Sequence, residues 1–508
     1  MRKLIVFFTG MMLFLFIQQV PVQAQPHDPF TLHYWLNPSG VNYTLSAPTT
    51  NGEWIAAAPR NERLSAVGVT PPVYAPRKNT VAVFRMSNAD YTMLPTSDDV
   101  KVFGVNTGSG FNKEVDFEVH CIVESCNPVQ MYILCGSISM SEEDSPVGMV
   151  AILDAQLNLV SLRHYDDVKV FYSVYAQDGF YFVCGQMQNS YGNAAIVLRD
   201  AIVSLTPLVN ITAFYTPNHP DWAFHKIAVR KAPGYPLPCS FEFSVSGAGE
   251  SENGPQIGWA VFQMSLGFFN FSNAAYSFTL PNYIPNSKVT IANYPSSAPL
   301  STTQGLLLSV SDGQRIHTYA FNNNQQQVMN GAFRIPYWYG VLTDMDYDGG
   351  DKIAWVGNDI KPPQIAHYFR STLTYPYSSP PPLGLNIRFT PFNQPTNAYY
   401  SLHKVHYYTG AFHAGGYYNG KDEKGNYNRA VFAVTPEHVW DNNHCTERKE
   451  INFEEEDVQL LKPISVARVY IQGQYIEYLN RTYGFCTMDC EKKRGDDCGN
   501  LKKDGTKE

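Results

Sequence analysis

The chain has 508 residues, only 16% of them charged, with a formal net charge of −8 and an isoelectric point near 5.9. That balance leaves no electrostatic footprint for nucleic acid, which binds through clustered Lys and Arg. The 33 Tyr and 30 Phe beside 36 Gly and 34 Pro predict an all-β chain of many short strands joined by turns.

In chain order, the first element is "MRKLIVFFTGMMLFLFIQQVPVQAQ". Arg2 and Lys3 precede an apolar run that ends before Pro21, and the small-residue site Val22-Gln23-Ala24 follows. This is the pattern of a secretory signal peptide over 1–24, cut before Gln25. The run is shorter than the roughly 18 to 20 residues of a spanning helix. The chain is therefore expected to be exported, to the periplasm, the cell surface or the medium, with no transmembrane segment in its mature part.

From Trp54 to Val434 a frame recurs. "VHCIVESCNPVQMYILCGS" with "GMVAILDAQLNLVSL", "FYSVYAQDGFYFVCGQ" with "NAAIVLRDAIVSL", "FHKIAVRKAPGYPLPCSFEFSVSG" with "GWAVFQMSL", and "LHKVHYYTGAFHAGG" with "NRAVFAVTP" all follow it. Each reads as an apolar strand, a turn, a strand ending in Gly, a loop, a strand around Ala and a further strand. Weaker copies, such as "EWIAAAP" with "TVAVFRMS" and "KVTIANY" with "GLLLSVSDGQRIHTYAF", bring the number to about seven. A four-stranded sheet of this kind cannot bury both faces until it stacks between two neighbours. "TLHYWLNPSGVNYTL", ahead of the first copy, is placed to lend a strand to the last.

These stretches resemble the seven-bladed β-propeller repeats of exported and envelope proteins of bacteria. The resemblance covers most of 50–440 and implies that fold and a binding or scaffolding habit, with no activity attached. The expected organisation is a signal peptide over 1–24, a β-propeller over 25–443, and a charged, Cys-containing C-terminal extension over 444–508 ending in a disordered tail. Two Pro-rich stretches, "PGYPLP" and "YPYSSPPPLGLNIRFTPFNQP", depart from the frame and are expected to be irregular loops of a binding rim. "ISVARVYIQGQYIEYL", in the extension, is expected to form a hairpin around Gly473. Export permits disulfides among the nine cysteines, one of which must stay unpaired within the chain.

His120, His225 and His403 fall at one place in three copies, at the start of the first strand, with Tyr172, Lys288 and Tyr339 near it in others. Such a ring would meet a ligand at the mouth of a central channel; the alternative is that each His bonds a neighbouring unit's backbone. His406 and His413, close to His403, are not echoed elsewhere and give no converging metal triad. "DMDYDGGD" places Asp344, Asp346 and Asp348 ahead of Gly349, with Asp351 beyond, and resembles the calcium loop of integrin-type propellers. Asp351 falls one residue early for that loop, so an acidic hairpin turn is the alternative to Ca²⁺.

No G-x-S-x-G elbow, H-E-x-x-H helix, phosphate loop or dinucleotide fingerprint occurs. The expected function is an exported propeller that binds a protein or glycan partner. A glycan hydrolase with a carboxylate pair at the channel mouth and a structural surface antigen are the alternatives.

Overall fold

The computed structural model describes residues 31–34, 44–45, 53–60 and 77–87 and, with breaks mostly between strands, 100–489. The expected signal peptide, Cys126, Cys239, Cys445, Cys490 and Cys498, the "PGYPLP" stretch and the expected C-terminal tail lie outside the described residues.

The described residues are all β. After β1 (Thr31–Tyr34), the first unit comprises β2 (Thr44–Leu45), β3 (Glu53–Arg60), β4 (Thr80–Ser87) and β5 (Val100–Val105). The second is β6 (Asp116–Ser125), β7 (Met131–Ser139), β8 (Val147–Leu153) and β9 (Leu159–Tyr165), and the third β10 (Val168–Gln177), β11 (Phe180–Asn189), β12 (Gly192–Ala201) and β13 (Leu208–Tyr215). The fourth is β14 (Ala223–Lys231), β15 (Phe241–Ser251), β16 (Gly254–Ser265) and β17 (Phe268–Thr279). The fifth is β18 (Thr290–Tyr294), β19 (Gly305–Ser311), β20 (Arg315–Phe321) and β21 (Gln327–Arg334). The sixth is β22 (Gly340–Tyr347), β23 (Lys352–Asp359), β24 (Ala366–Thr372) and β25 (Leu383–Phe389). The seventh has three strands of its own, β26 (Tyr399–Tyr408), β27 (Ala411–Lys421) and β28 (Tyr427–Val434), and takes β1 as its fourth, Thr31–Tyr34 running antiparallel to Ala430–Ala433. The two ends of the repeat region are thus joined in one sheet, as the stretch before the first copy predicted.

The remaining strands lie in the extension: β29 (Thr446–Glu455), β30 (Lys462–Pro463), β31 (Ser465–Tyr475), β32 (Tyr478–Tyr483) and β33 (Cys486–Asp489). They form no separate appendage. β29 pairs with β25 and then with β21, β30 with β17, β31 with β13 and then with β9, β32 with β5, and β33 with β1. The extension therefore visits the units in reverse order, sixth to first, and finishes on the seventh. Because β29 and β31 each bridge two units, the strands assemble into two nine-stranded and three five-stranded sheets. The expected hairpin around Gly473 does not form. β31 runs straight through Gly473, where a Cβ would lie 2.8 Å from the Tyr165 ring, and β32 joins a different sheet. The second Pro-rich stretch is also less irregular than expected, since its Leu383–Phe389 forms β25.

The core lies between successive units. In β11, Tyr181 and Val183 face the second unit's Ile133 and Val150, while Phe182 and Cys184 face the fourth unit's Phe243 and Phe262. In β7 the same alternation sends Tyr132 and Leu134 toward the first unit and Ile133 and Cys135 toward the third. Strands buried on both faces read as continuous apolar runs rather than alternating ones, which is why β19, "GLLLSVS", is buried throughout. Trp259 against Phe321, ring centres 4.3 Å apart, fills the gap between the fourth and fifth units. The innermost strands pack side by side in one circuit: β6 on β10, β10 on β14, β14 on β18, β18 on β22, β22 on β26, β26 on β2, and β2 on β6.

Candidate functional site

Five innermost strands carry a β-bulge at one position. Pairing skips His120 in β6, Tyr172 in β10, His225 in β14, Thr343 in β22 and His403 in β26. Opposite each bulge stands the Gly that ends the second strand of the frame: Gly136, Gly185, Gly247, Gly357 and Gly416. The reason is steric. A Cβ on Gly185 would lie 2.0 Å from the Val170 carbonyl oxygen, and one on Gly416 1.7 Å from that of Ser401. Only a residue without a side chain lets the bulged backbone approach this closely, and a bulge re-aims the side chain it displaces.

The re-aimed side chains meet. The His120 and Tyr172 rings are 4.9 Å apart, Tyr172 and His225 5.4 Å, and Lys288 Nζ sits 3.6 Å from the centre of the Tyr172 ring. His403 and Lys404 from the seventh unit contribute to the field at His120. Five of the six residues anticipated for this ring are therefore gathered. Tyr339 is not: it is 43% exposed, with Lys361 over its ring. Thr343 occupies the bulge of that unit, its hydroxyl donating to the Leu402 carbonyl at 2.7 Å. Lys226 and Lys404, each one residue past a bulge, were not anticipated at all.

The electrostatics follow from crowding cations in a confined space. Burial, reinforced by Lys288, holds His225 well below its ordinary value, and the same two causes with His403 and Lys404 added act on His120. Burial together with Lys404 and Lys288 lowers His403 to about 4. Lys288 is lowered to about 8 by burial, with Lys404 adding to the effect against the attraction of Glu118. For Lys404 burial opposes the charge, but Asp344 outweighs it and raises the pKa. Burial, with Glu118 and Asp221, pushes Tyr172 up to about 12. His120, Tyr172, His225, Lys288, His403 and Lys404 are each half-buried, keeping part of their surface open to solvent.

The alternative role, bonding to a neighbouring unit's backbone, is filled by His225, whose Nδ1 accepts the Val289 amide at 3.1 Å; His403 Nε2 instead lies 3.1 Å from Ser401 Oγ on its own strand. Other groups stitch the units together: Cys135 Sγ donates to the Phe171 carbonyl, Cys184 Sγ to that of Phe224, and Ser246 Oγ to that of Val289. Cys121, Cys135 and Cys184 are buried free thiols, so the expectation of disulfides does not extend to these three. Cys121 and Cys135 face each other across β6 and β7 without a bond.

The four aspartates of the anticipated calcium loop do not converge on one point. Asp344, buried in β22, pairs with Lys226 at 2.5 Å, lies 3.9 Å from Lys404 and accepts the Val405 amide at 3.2 Å. Asp346 pairs with His406 at 2.9 Å and accepts the Tyr407 amide at 2.8 Å; burial opposes its charge, but His406 outweighs it and lowers its pKa. Asp348 accepts the amides of Gly350 and Lys352 in the β22–β23 turn, and Asp351 is exposed. Strand geometry explains the separation: Asp344 and Asp346 share one face of an extended strand, two residues apart, and bond successive amides of β26, Val405 and Tyr407, whereas a calcium loop wraps its donors around one point. Among the described residues no group of three or more His, Cys, Asp or Glu is placed to hold a metal ion.

No known family model matches the chain, and no characterised protein matches it in sequence. Among the described residues no helix is long and apolar enough to cross a membrane.

Proposed function

We propose that the chain is an exported binding protein built as a seven-bladed β-propeller, which engages a protein or glycan partner around the mouth of its central passage. The circuit of inner strands, closed where β2 packs between β26 and β6, supports the propeller reading: each unit covers its two faces with its two neighbours. The observation that carries the binding reading is the meeting of His120, Tyr172, His225, Lys288 and His403 from five units at one place. A scaffold with no ligand has no use for crowded cations there, since confining charge costs stability.

The hydrolase alternative needs a carboxyl group held protonated beside an ionised one. Two carboxylates with displaced acidity, Asp312 and Asp346, are both displaced downward, toward His317 and His406. Of the carboxylates beside the cluster, Asp344 is committed to Lys226, and Glu118 lies 3.5 Å from His120. The binding reading therefore stands ahead.

The experiment is affinity capture from the native envelope fraction, together with a glycan array, using the mature protein and a His120→Ala/His403→Ala variant. The reading expects one retained partner or glycan class, lost with the double substitution. Retention of nothing, or equal retention by a folded variant, contradicts it.

A further inference from the structure

The cations at the centre are not balanced. Lys226 and Lys404 share one carboxylate, Asp344. Among the described residues Lys288 meets no carboxylate within ion-pair distance; its ammonium group lies on the Tyr172 ring, and Glu118 acts on it only at longer range. Around it stand three histidines that burial, reinforced by the neighbouring lysines, keeps neutral. A neutral imidazole whose Nδ1 accepts a hydrogen bond carries its proton on Nε2. His225, which accepts the Val289 amide at Nδ1, therefore has an Nε2–H to donate. Confined ammonium groups and neutral N–H donors are the complement of an acid oxygen, where charge-assisted hydrogen bonds are strong. A metal ion would be repelled by the three lysines.

We propose that this cluster is a binding site for the acidic group of a small ligand or glycan unit, a carboxylate or a phosphate, with Lys288 as its principal charge partner, Lys404 as its second, and His120, His225 and His403 as surrounding hydrogen-bonding groups. The inference rests on the binding reading above and names the ligand class for the same site. An occupying anion supplies a countercharge to Lys288. It also relieves the repulsion between Lys288 and Lys404, so binding stabilises the fold by mass action.

The test is thermal melting and titration calorimetry of the mature protein at fixed ionic strength. Inorganic phosphate and glucuronate are the two arms, with glucose and sodium chloride as controls. A saturable rise in melting temperature in either arm, absent from both controls, is expected, and the stronger arm identifies the acid. Lys288→Met is expected to melt no lower than the parent and to bind about tenfold more weakly or worse, the loss of one charge-assisted bond. Lys288→Arg is expected to keep most of the affinity. Lys288→Gln replaces the Met variant if the latter does not fold. Absence of saturation in both arms, or equal binding by parent and charge-removed variant, overturns the inference. If a partner is still captured from the envelope fraction under those results, the acidic-ligand inference fails while the binding reading survives.

Discussion

At Gly185 the chain needs the absence of a side chain more than it needs flexibility. The Val170 carbonyl fills the space of the missing Cβ, and the bulge that aims Tyr172 depends on that approach. Gly254 differs: its φ is +95°, but nothing lies within 4 Å of its Cβ position. Gly185→Ala is therefore expected to cost about 2–4 kcal/mol in a urea titration, and Gly254→Ala only the left-handed penalty of about 1–2 kcal/mol. Equal costs would show that the bulge is not held by this contact. The glycine and the polar residue opposite were both legible in the repeated frame. Their relation was not, because a bulge inserts one residue and shifts the register. Tyr339 lies four residues ahead of Thr343, more than the one-residue bulge accounts for, whereas the bulge does set Lys226 and Lys404 beside His225 and His403.

Among the elements, the extension hid its role behind its composition. β29, "TERKEINFEE", has two apolar anchors, Ile451 and Phe453, the latter 5.1 Å from Phe333. β31 shows Val466, Arg468, Tyr470 and Gln472 to solvent and turns Ala467, Val469 and Ile471 inward. Period-two alternation announced a strand there, but a sequence does not say which of several distant edges a strand will join. Covering the outer edges in this way also shields them from pairing with other chains.

One polar network ties the second unit to the third beneath this strand. Arg163 donates to Asp200 at 2.8 Å and to the carbonyls of Ala201 and Ile202, and lies 5.0 Å from the Tyr475 ring. The Tyr165 and Tyr181 hydroxyls, 2.7 Å apart, both reach Asp200. Removing one partner of a buried pair leaves the other charge uncompensated, so Arg163→Met is expected to cost about 3–5 kcal/mol. Arg163→Met combined with Asp200→Leu should recover part of that loss. A single-variant cost below about 1 kcal/mol, the range of exposed ion pairs, would contradict the buried-pair account.

For the molecule as a whole, the central histidines set the response to acid. The folded protein holds His403 at about 4, while an unfolded chain titrates near the ordinary value of about 6.5. Between those values the unfolded state binds more protons, so stability must fall as pH drops through that window and level off below it. His120 and His225 are displaced in the same direction and deepen the loss. Asp346, displaced downward, adds a further loss only below the ordinary carboxylate range. The urea midpoint is expected to decline steeply from pH 6.5 to 4, and less steeply in His403→Gln. A flat profile over that window would mean that the three histidines are solvated and free to protonate.

All of this depends on the seven units closing on one another, and the latch that joins the two ends of the repeat region is β1 against β28, with His33 and Val431 partners in register. The measurement is oxidation of a His33→Cys/Val431→Cys variant, followed by peptide mapping of the product. The account predicts an intramolecular bond between residues 33 and 431 in the folded monomer, formed without loss of structure, and a higher melting temperature from the long loop it closes. Free thiols at both positions, or bonds formed only between separate molecules, would contradict closure and leave the central cluster without its ring.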